Sequence, residues 1–245
     1  MSGSSSPRTH SPARVAAAWG VHAYTAMGLP LALGSMLALV NGQVELFWAL
    51  NGTAVMVDAT DGMLARKVGV KDVVPSFDGR KLDDIVDFIT FTFLPGVALV
   101  LLDMLPTGWD WFAAVPLLAS GYGFCQDRAK TDDSFVGFPS YWNLAVLYLF
   151  LLQTSPWVNL ATIGFFALLV FVPVHYVYPT RTATLKPVTV GGGYVWAGTL
   201  MVLCLNPTAA WARSVTVASM AYPVYYFVLS AFHHVRVMKE LEGTG

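Results

Sequence analysis

Residues 57–87 read "VDATDGMLARKVGVKDVVPSFDGRKLDDIVD", the most charged stretch of an otherwise apolar chain. Four of its carboxylates, Asp58, Asp61, Asp83 and Asp87, adjoin long hydrophobic runs. Acids at the edges of such runs suit a membrane interface. At the bilayer centre a carboxylate would cost about 2.5–3.5 kcal/mol on insertion scales. The composition agrees: of 245 residues, 56% are hydrophobic and 12% charged, against about 25% charged in soluble domains. The net charge of −1 provides no basic field for nucleic acid, which is not expected as a partner. Cys125 and Cys204 lie in separate apolar runs, with no CxxC or metal-ligand spacing. Both read as small apolar residues.

Working outward, windows of about 20 mostly apolar residues fall at 19–40, 44–64, 84–103, 109–127, 138–153, 157–178, 187–205 and 212–235. The expected fold is an all-α polytopic membrane bundle of eight transmembrane helices. Pro30, Pro95, Pro116 and Pro173 lie inside these windows, where neighbouring helices re-satisfy the freed backbone. Residues 1–14, rich in Ser and Pro and lacking an apolar core, read as a disordered cytoplasmic tail and not a signal peptide. Residues 15–239 read as one transmembrane domain and 240–245 as a short tail. Cytoplasmic loops gather Lys and Arg. With the N-terminus inside, one side collects Arg8, Arg14, Arg66, Lys67, Lys71, Arg80, Lys81, Arg128, Lys130, Arg181, Lys186, Arg236 and Lys239, and the other only Arg213. Both termini are therefore expected in the cytoplasm, with the four acids at that face.

Asp58 and Asp61 are three apart and share a helix face, which Gly62 and Ala65 continue. Residues with almost no side chain leave room for a bulky group against the backbone. Arg66 ends the run and can grip phosphate bidentately. Gly79, Asp83 and Asp87 recur every fourth residue as a second stripe. Two acidic stripes on neighbouring antiparallel helices need cations between them, and hard oxygen ligands suit Mg²⁺, Mn²⁺ or Ca²⁺. Acids, small residues and an Arg together point to metals gripping a diphosphate, where two ions serve attacking and leaving oxygens. A lone interfacial Asp is more often a solvating residue paired with Lys or Arg. Asp72, Asp78 and Asp84 are read that way, with Asp78 a helix cap.

The full pattern is D-x2-D-G-x2-A-R-x12-G-x3-D-x3-D, filled by Asp58, Asp61, Gly62, Ala65, Arg66, Gly79, Asp83 and Asp87. It resembles the signature of the CDP-alcohol phosphatidyltransferases. The twelve-residue gap, "VHAYTAMG" near the start, "TDDSFVGFPSYWN" and "FVPVHYVYP" look like the bacterial phosphatidylcholine synthase branch. The resemblance covers roughly residues 15–235. It implies transfer of a phosphatidyl group from CDP-diacylglycerol to choline with release of CMP, at the cytoplasmic face of a bacterial inner membrane. It also implies Mn²⁺ or Mg²⁺, two per site, and a homodimer. Carried over by position, Asp58, Asp61, Asp83 and Asp87 would hold metal, and Asp87 would also take the choline proton. Asp58, Gly62, Ala65, Arg66 and Gly79 would border the CDP moiety. None of the eight signature positions is a Ser, Cys or His that could serve as a nucleophile, which favours direct displacement.

Choline is a quaternary ammonium, which proteins cage with aromatic faces. The expected choline residues are Tyr141, Trp142, Tyr122 and Tyr178, with polar support from Asp127 and Asn143. His22 and His175 read as packing or hydrogen-bonding residues. Two rivals stand beside this reading. Another acceptor, such as glycerol phosphate, serine or inositol phosphate, would reuse the same signature. A cation or proton transporter would spread acids across the membrane depth, whereas the motif's acids cluster at one face.

Overall fold

The computed structural model describes residues 10–126, 134–177 and 185–242. Most of these lie in helices: α1 (Pro12–Ala26), α2 (Gly28–Val40), α3 (Val44–Val68), α4 (Val70–Val73), α5 (Gly79–Asp87), α6 (Leu94–Leu101), α7 (Ala114–Phe124), α8 (Trp142–Leu152), α9 (Pro156–Phe171), α10 (Lys186–Leu205), α11 (Ala212–Ser219) and α12 (Ala221–Glu242). A π-helical segment, Phe88–Phe93, joins α5 to α6. Strands β1 (Ser134–Val136) and β2 (His175–Val177) form one short antiparallel pair, with Phe135 opposite Tyr176. Four stretches are long and apolar enough to cross a membrane: Pro12–Val40, Gly79–Leu101, Lys186–Leu205 and Ala212–Lys239. The architecture is that of a helical membrane protein.

Local chemistry explains where the helices start and stop. Ser11 accepts the Arg14 N–H at 3.4 Å and Pro12 opens α1, a capping residue followed by a residue that has no N–H to leave unsatisfied. α3 ends because Gly69 adopts φ 71° and returns its N–H to the Ala65 carbonyl, a left-handed cap that favours glycine. Pro95 cannot donate to the fourth residue back, and just before it the ladder widens: Leu94 N–H reaches the Ile89 carbonyl, five residues away.

Two expected spans are shorter than the apolar windows suggest. α9 stops at Phe171, two residues before Pro173, and residues 175–177 pair as β2. α8 starts at Trp142 and not at 138, because Gly137 (φ 83°) and Ser140 (φ 57°) break the helical backbone. The 11 residues of α8 rise only about 16 Å, roughly half a hydrocarbon core.

The core is built around Phe47 and Trp48 of α3, Leu94 and Leu99, Trp142 and Val146 of α8, Ile163 of α9 and Leu203 of α10, all buried. Asn51 of α3 donates to the Thr90 carbonyl at 3.2 Å. That bond fixes α3 against the segment following Asp87, and so sets the relative depth of the two acid-bearing helices.

The twelve-residue linker between the two half-signatures is a packed turn. Val70, Val73 and Val74 bury against Ala18 and Val21 of α1. Phe77 lies 4.4 Å from the His22 ring centroid and 5.2 Å from that of Trp19. The chain after α3 thus folds back onto α1 before α5 begins.

Candidate active site

α5 starts where Asp78 caps it, its carboxylate accepting the Lys81 N–H at 3.1 Å, the role expected of Asp78. From there Asp83 and Asp87 follow on one face, and both meet Asp58 of α3. One carboxylate oxygen from each of Asp58, Asp83 and Asp87 lies within 4.8 Å of the others, and all three residues are half-buried. Oxygens this close could draw together around one divalent cation. Three hard anionic oxygens in a partly desolvated place are a donor set that fits Mg²⁺ or Mn²⁺. Asp84 is not in this group.

Asp61, one turn further along α3, is not in this group. Its Oδ2 accepts a hydrogen bond from Thr25 Oγ1 of α1 at 2.7 Å, and only 7% of the residue is exposed. Next to it, the Tyr24 hydroxyl and Thr60 Oγ1 are 2.8 Å apart. Thr25 and Tyr24 were not singled out from sequence, although Thr25 stands three residues after His22 within "VHAYTAMG", on one helix face with it.

The small residues of the signature divide by role. A Cβ placed at Gly62 would meet, among the described residues, only Arg66 Nη1, at 3.3 Å, so the guanidinium lies back over Gly62. Ala65 instead packs against the valine cluster under α1. Gly79 faces His22: a Cβ there would stand 2.7 Å from His22 Cε1 and 3.2 Å from Nδ1. The second glycine thus lets α5 touch the ring of His22, which is buried as a packing residue. Gly79→Ala is expected to push α5 off α1 and lower turnover about 100-fold, the cost of a misplacement near 1 Å. In a Gly79→Ala/His22→Ala double variant most activity returns. Steady-state kinetics checks this, and no recovery would mean that Gly79 serves a ligand.

The aromatic residues expected around choline have other neighbours. Trp142 is 1% exposed. Its Nε1 donates to Ser120 Oγ at 2.6 Å and its ring sits edge-on to Phe138. Its ring is part of the core, so its face is not offered to a ligand. Tyr122 lies against Phe171, 4.9 Å between centroids. The Tyr141 ring is 6.4 Å from that of Phe91, which follows Asp87 by four residues. Asn143 is buried with its Oδ1 accepting the Leu144 N–H. Tyr178 and Asp127 lie outside the described residues.

No protein-family model matches the chain. Among curated proteins, a phosphatidylcholine synthase of Pseudomonas aeruginosa is 40% identical over 187 residues, 76% of this chain and 79% of that protein. One from Rhizobium meliloti is 36% identical over 217 residues, 86% of this chain and 88% of that protein. One from Rhizobium johnstonii is 35% identical over 210 residues, 84% and 86%. Such identity along most of both chains, together with a signature whose acids meet in space, means that the chain belongs to the phosphatidylcholine synthase family of phosphatidyltransferases.

Proposed function

We propose that the protein joins CDP-diacylglycerol to choline, giving phosphatidylcholine and CMP by direct displacement. The observation that carries this reading is the convergence of Asp58, Asp83 and Asp87 from two helices onto one point. Together with Asp61 these residues would hold two divalent cations, Mn²⁺ or Mg²⁺. When bound, such ions neutralise the diphosphate and the departing CMP. The face at Gly62, with Arg66 lying over it, would receive the diphosphate, and Arg66 is the residue type suited to a bidentate phosphate grip. Asp87 would accept the choline hydroxyl proton as that oxygen attacks the β-phosphorus, the one bearing diacylglycerol. The bond from β-phosphorus to the CMP oxygen breaks. A carboxylate within about 3 Å of the hydroxyl is a competent base for this step.

Tyr141, beside Phe91 about one helical turn from Asp87, is the aromatic residue we assign to the choline side. Eight membrane crossings with both termini in the cytoplasm follow from thirteen Lys and Arg on one side against Arg213 alone on the other. The site then opens to the inner face of the cytoplasmic membrane, where choline and CMP exchange with water.

The test uses purified protein in mixed micelles with CDP-diacylglycerol, labelled choline and Mn²⁺. Phosphatidylcholine and CMP are expected in equal amounts, lost with EDTA and restored by excess Mn²⁺. Turnover of glycerol phosphate, serine or inositol phosphate without any of choline would overturn the acceptor.

A further inference from the structure

α1 contributes none of the eight signature residues, yet its buried face meets both half-sites. His22 bears on Gly79 at the head of α5. One turn later Thr25 Oγ1 donates to Asp61 Oδ2 at 2.7 Å, whereas its own-helix alternative, the Val21 carbonyl, is at 3.4 Å. Thr25 and Asp61 are each 7% exposed, so water competes little for this bond. Thr60 sends its hydrogen to the Met56 or Val57 carbonyl, at 2.9 and 3.0 Å. Tyr24 is therefore the donor in its 2.8 Å bond to Thr60. The α1–α3 seam thus holds two side-chain hydrogen bonds side by side, only one of which reaches an acid.

The three grouped carboxylates come from α3 and α5, and Asp61 is fixed from α1. A hydroxyl is a neutral donor: together with the Gly62 N–H, which also bonds this carboxylate, it leaves the charge in place while removing the freedom to rotate. Donors placed behind a ligand in this way raise metal affinity, and their loss typically costs 10–100-fold. We propose that Thr25 is a positioning residue whose hydroxyl fixes Asp61, one helix turn along α3 from Asp58, as a fourth carboxylate facing a divalent cation held by Asp58, Asp83 and Asp87. The proposal rests on the metal reading above. It also accounts for "VHAYTAMG", a segment that aligns both half-sites of the metal centre without contributing an acid.

The experiment titrates full-length protein in detergent with Mn²⁺ and reads free Mn²⁺ by electron paramagnetic resonance. Thr25→Ala is expected to bind Mn²⁺ about 10–100-fold more weakly than wild type. Thr25→Ser, which keeps the hydroxyl, binds close to wild type. Tyr24→Phe, which cuts the neighbouring bond of the same seam, also binds as wild type. The proposal is overturned if Thr25→Ala binds like wild type, if Thr25→Ser is as weak as Thr25→Ala, or if Tyr24→Phe weakens binding equally. Failure of the underlying reading looks different: Asp58→Asn then leaves Mn²⁺ binding unchanged, which removes the metal centre and the proposal with it.

Discussion

Asp87→Asn is expected to lower turnover by about 10²–10⁴-fold, the range supplied by a positioned base, with a smaller effect on the KM for CDP-diacylglycerol. An amide keeps the size and the second oxygen of the side chain but cannot accept the hydroxyl proton. Asp87 also stands within the three-acid group, so Mn²⁺ binding is measured beside the kinetics. Loss of turnover at saturating Mn²⁺ identifies the base. Recovery of full turnover at high Mn²⁺ would reduce Asp87 to a ligand. Asp87 sits immediately before the π-helical segment, where backbone geometry is most often bent to aim a functional side chain.

Trp142→Ala is expected to destabilise the protein by about 3–5 kcal/mol, the usual cost of truncating a buried aromatic residue to alanine. At this chain length, 1 kcal/mol corresponds to roughly 2–4 °C in Tm, so a fall of about 10 °C is expected in a thermal melt in detergent. The reason is local. The indole is 1% exposed, rests on Phe138 and donates to Ser120, which in turn donates to Ser140 at 2.9 Å. Removing it opens a cavity where α8 begins and strips a partner from Ser120. A raised KM for choline with an unchanged Tm would return Trp142 to the acceptor site, the role its place beside Tyr141 suggests from sequence alone.

The two aromatic neighbours show why the acceptor site was less legible than the acids. Tyr141 and Trp142 are adjacent in sequence, and aromatic residues collect at membrane interfaces for their amphipathic character alone. Which of the two rings turns into the core is set by the backbone turn at Ser140, φ 57°, and no periodicity announces it. The acids differ because their spacing encodes their geometry. Residues three or four apart on a helix must share a face, so Asp83 and Asp87 had to point together wherever α5 lay.

Gly79 and Ala65 mark the limit of that logic. Both are small residues in a signature, and smallness near acids reads naturally as room for substrate. In the folded chain one accommodates the His22 ring and the other the valine cluster. At Gly62, among the described residues, a Cβ would meet nothing but the guanidinium of its own helix's Arg66. A missing side chain reports close approach, and the tertiary structure alone says whether the approaching group is a ligand or another helix.

From its sequence alone this protein is a helical membrane protein with two acidic half-sites, since hydropathy and helical spacing act locally and survive any packing arrangement. Which partners those half-sites have was decided by tertiary contacts. The twelve residues from Lys67 to Asp78, whose length set this chain apart, fold into a valine-rich turn that docks on α1. Docking carries His22 to Gly79 and Thr25 to Asp61, sites 57 and 36 residues apart in sequence. Contacts across such separations depend on how three helices close on one another, and no short-range pattern records that.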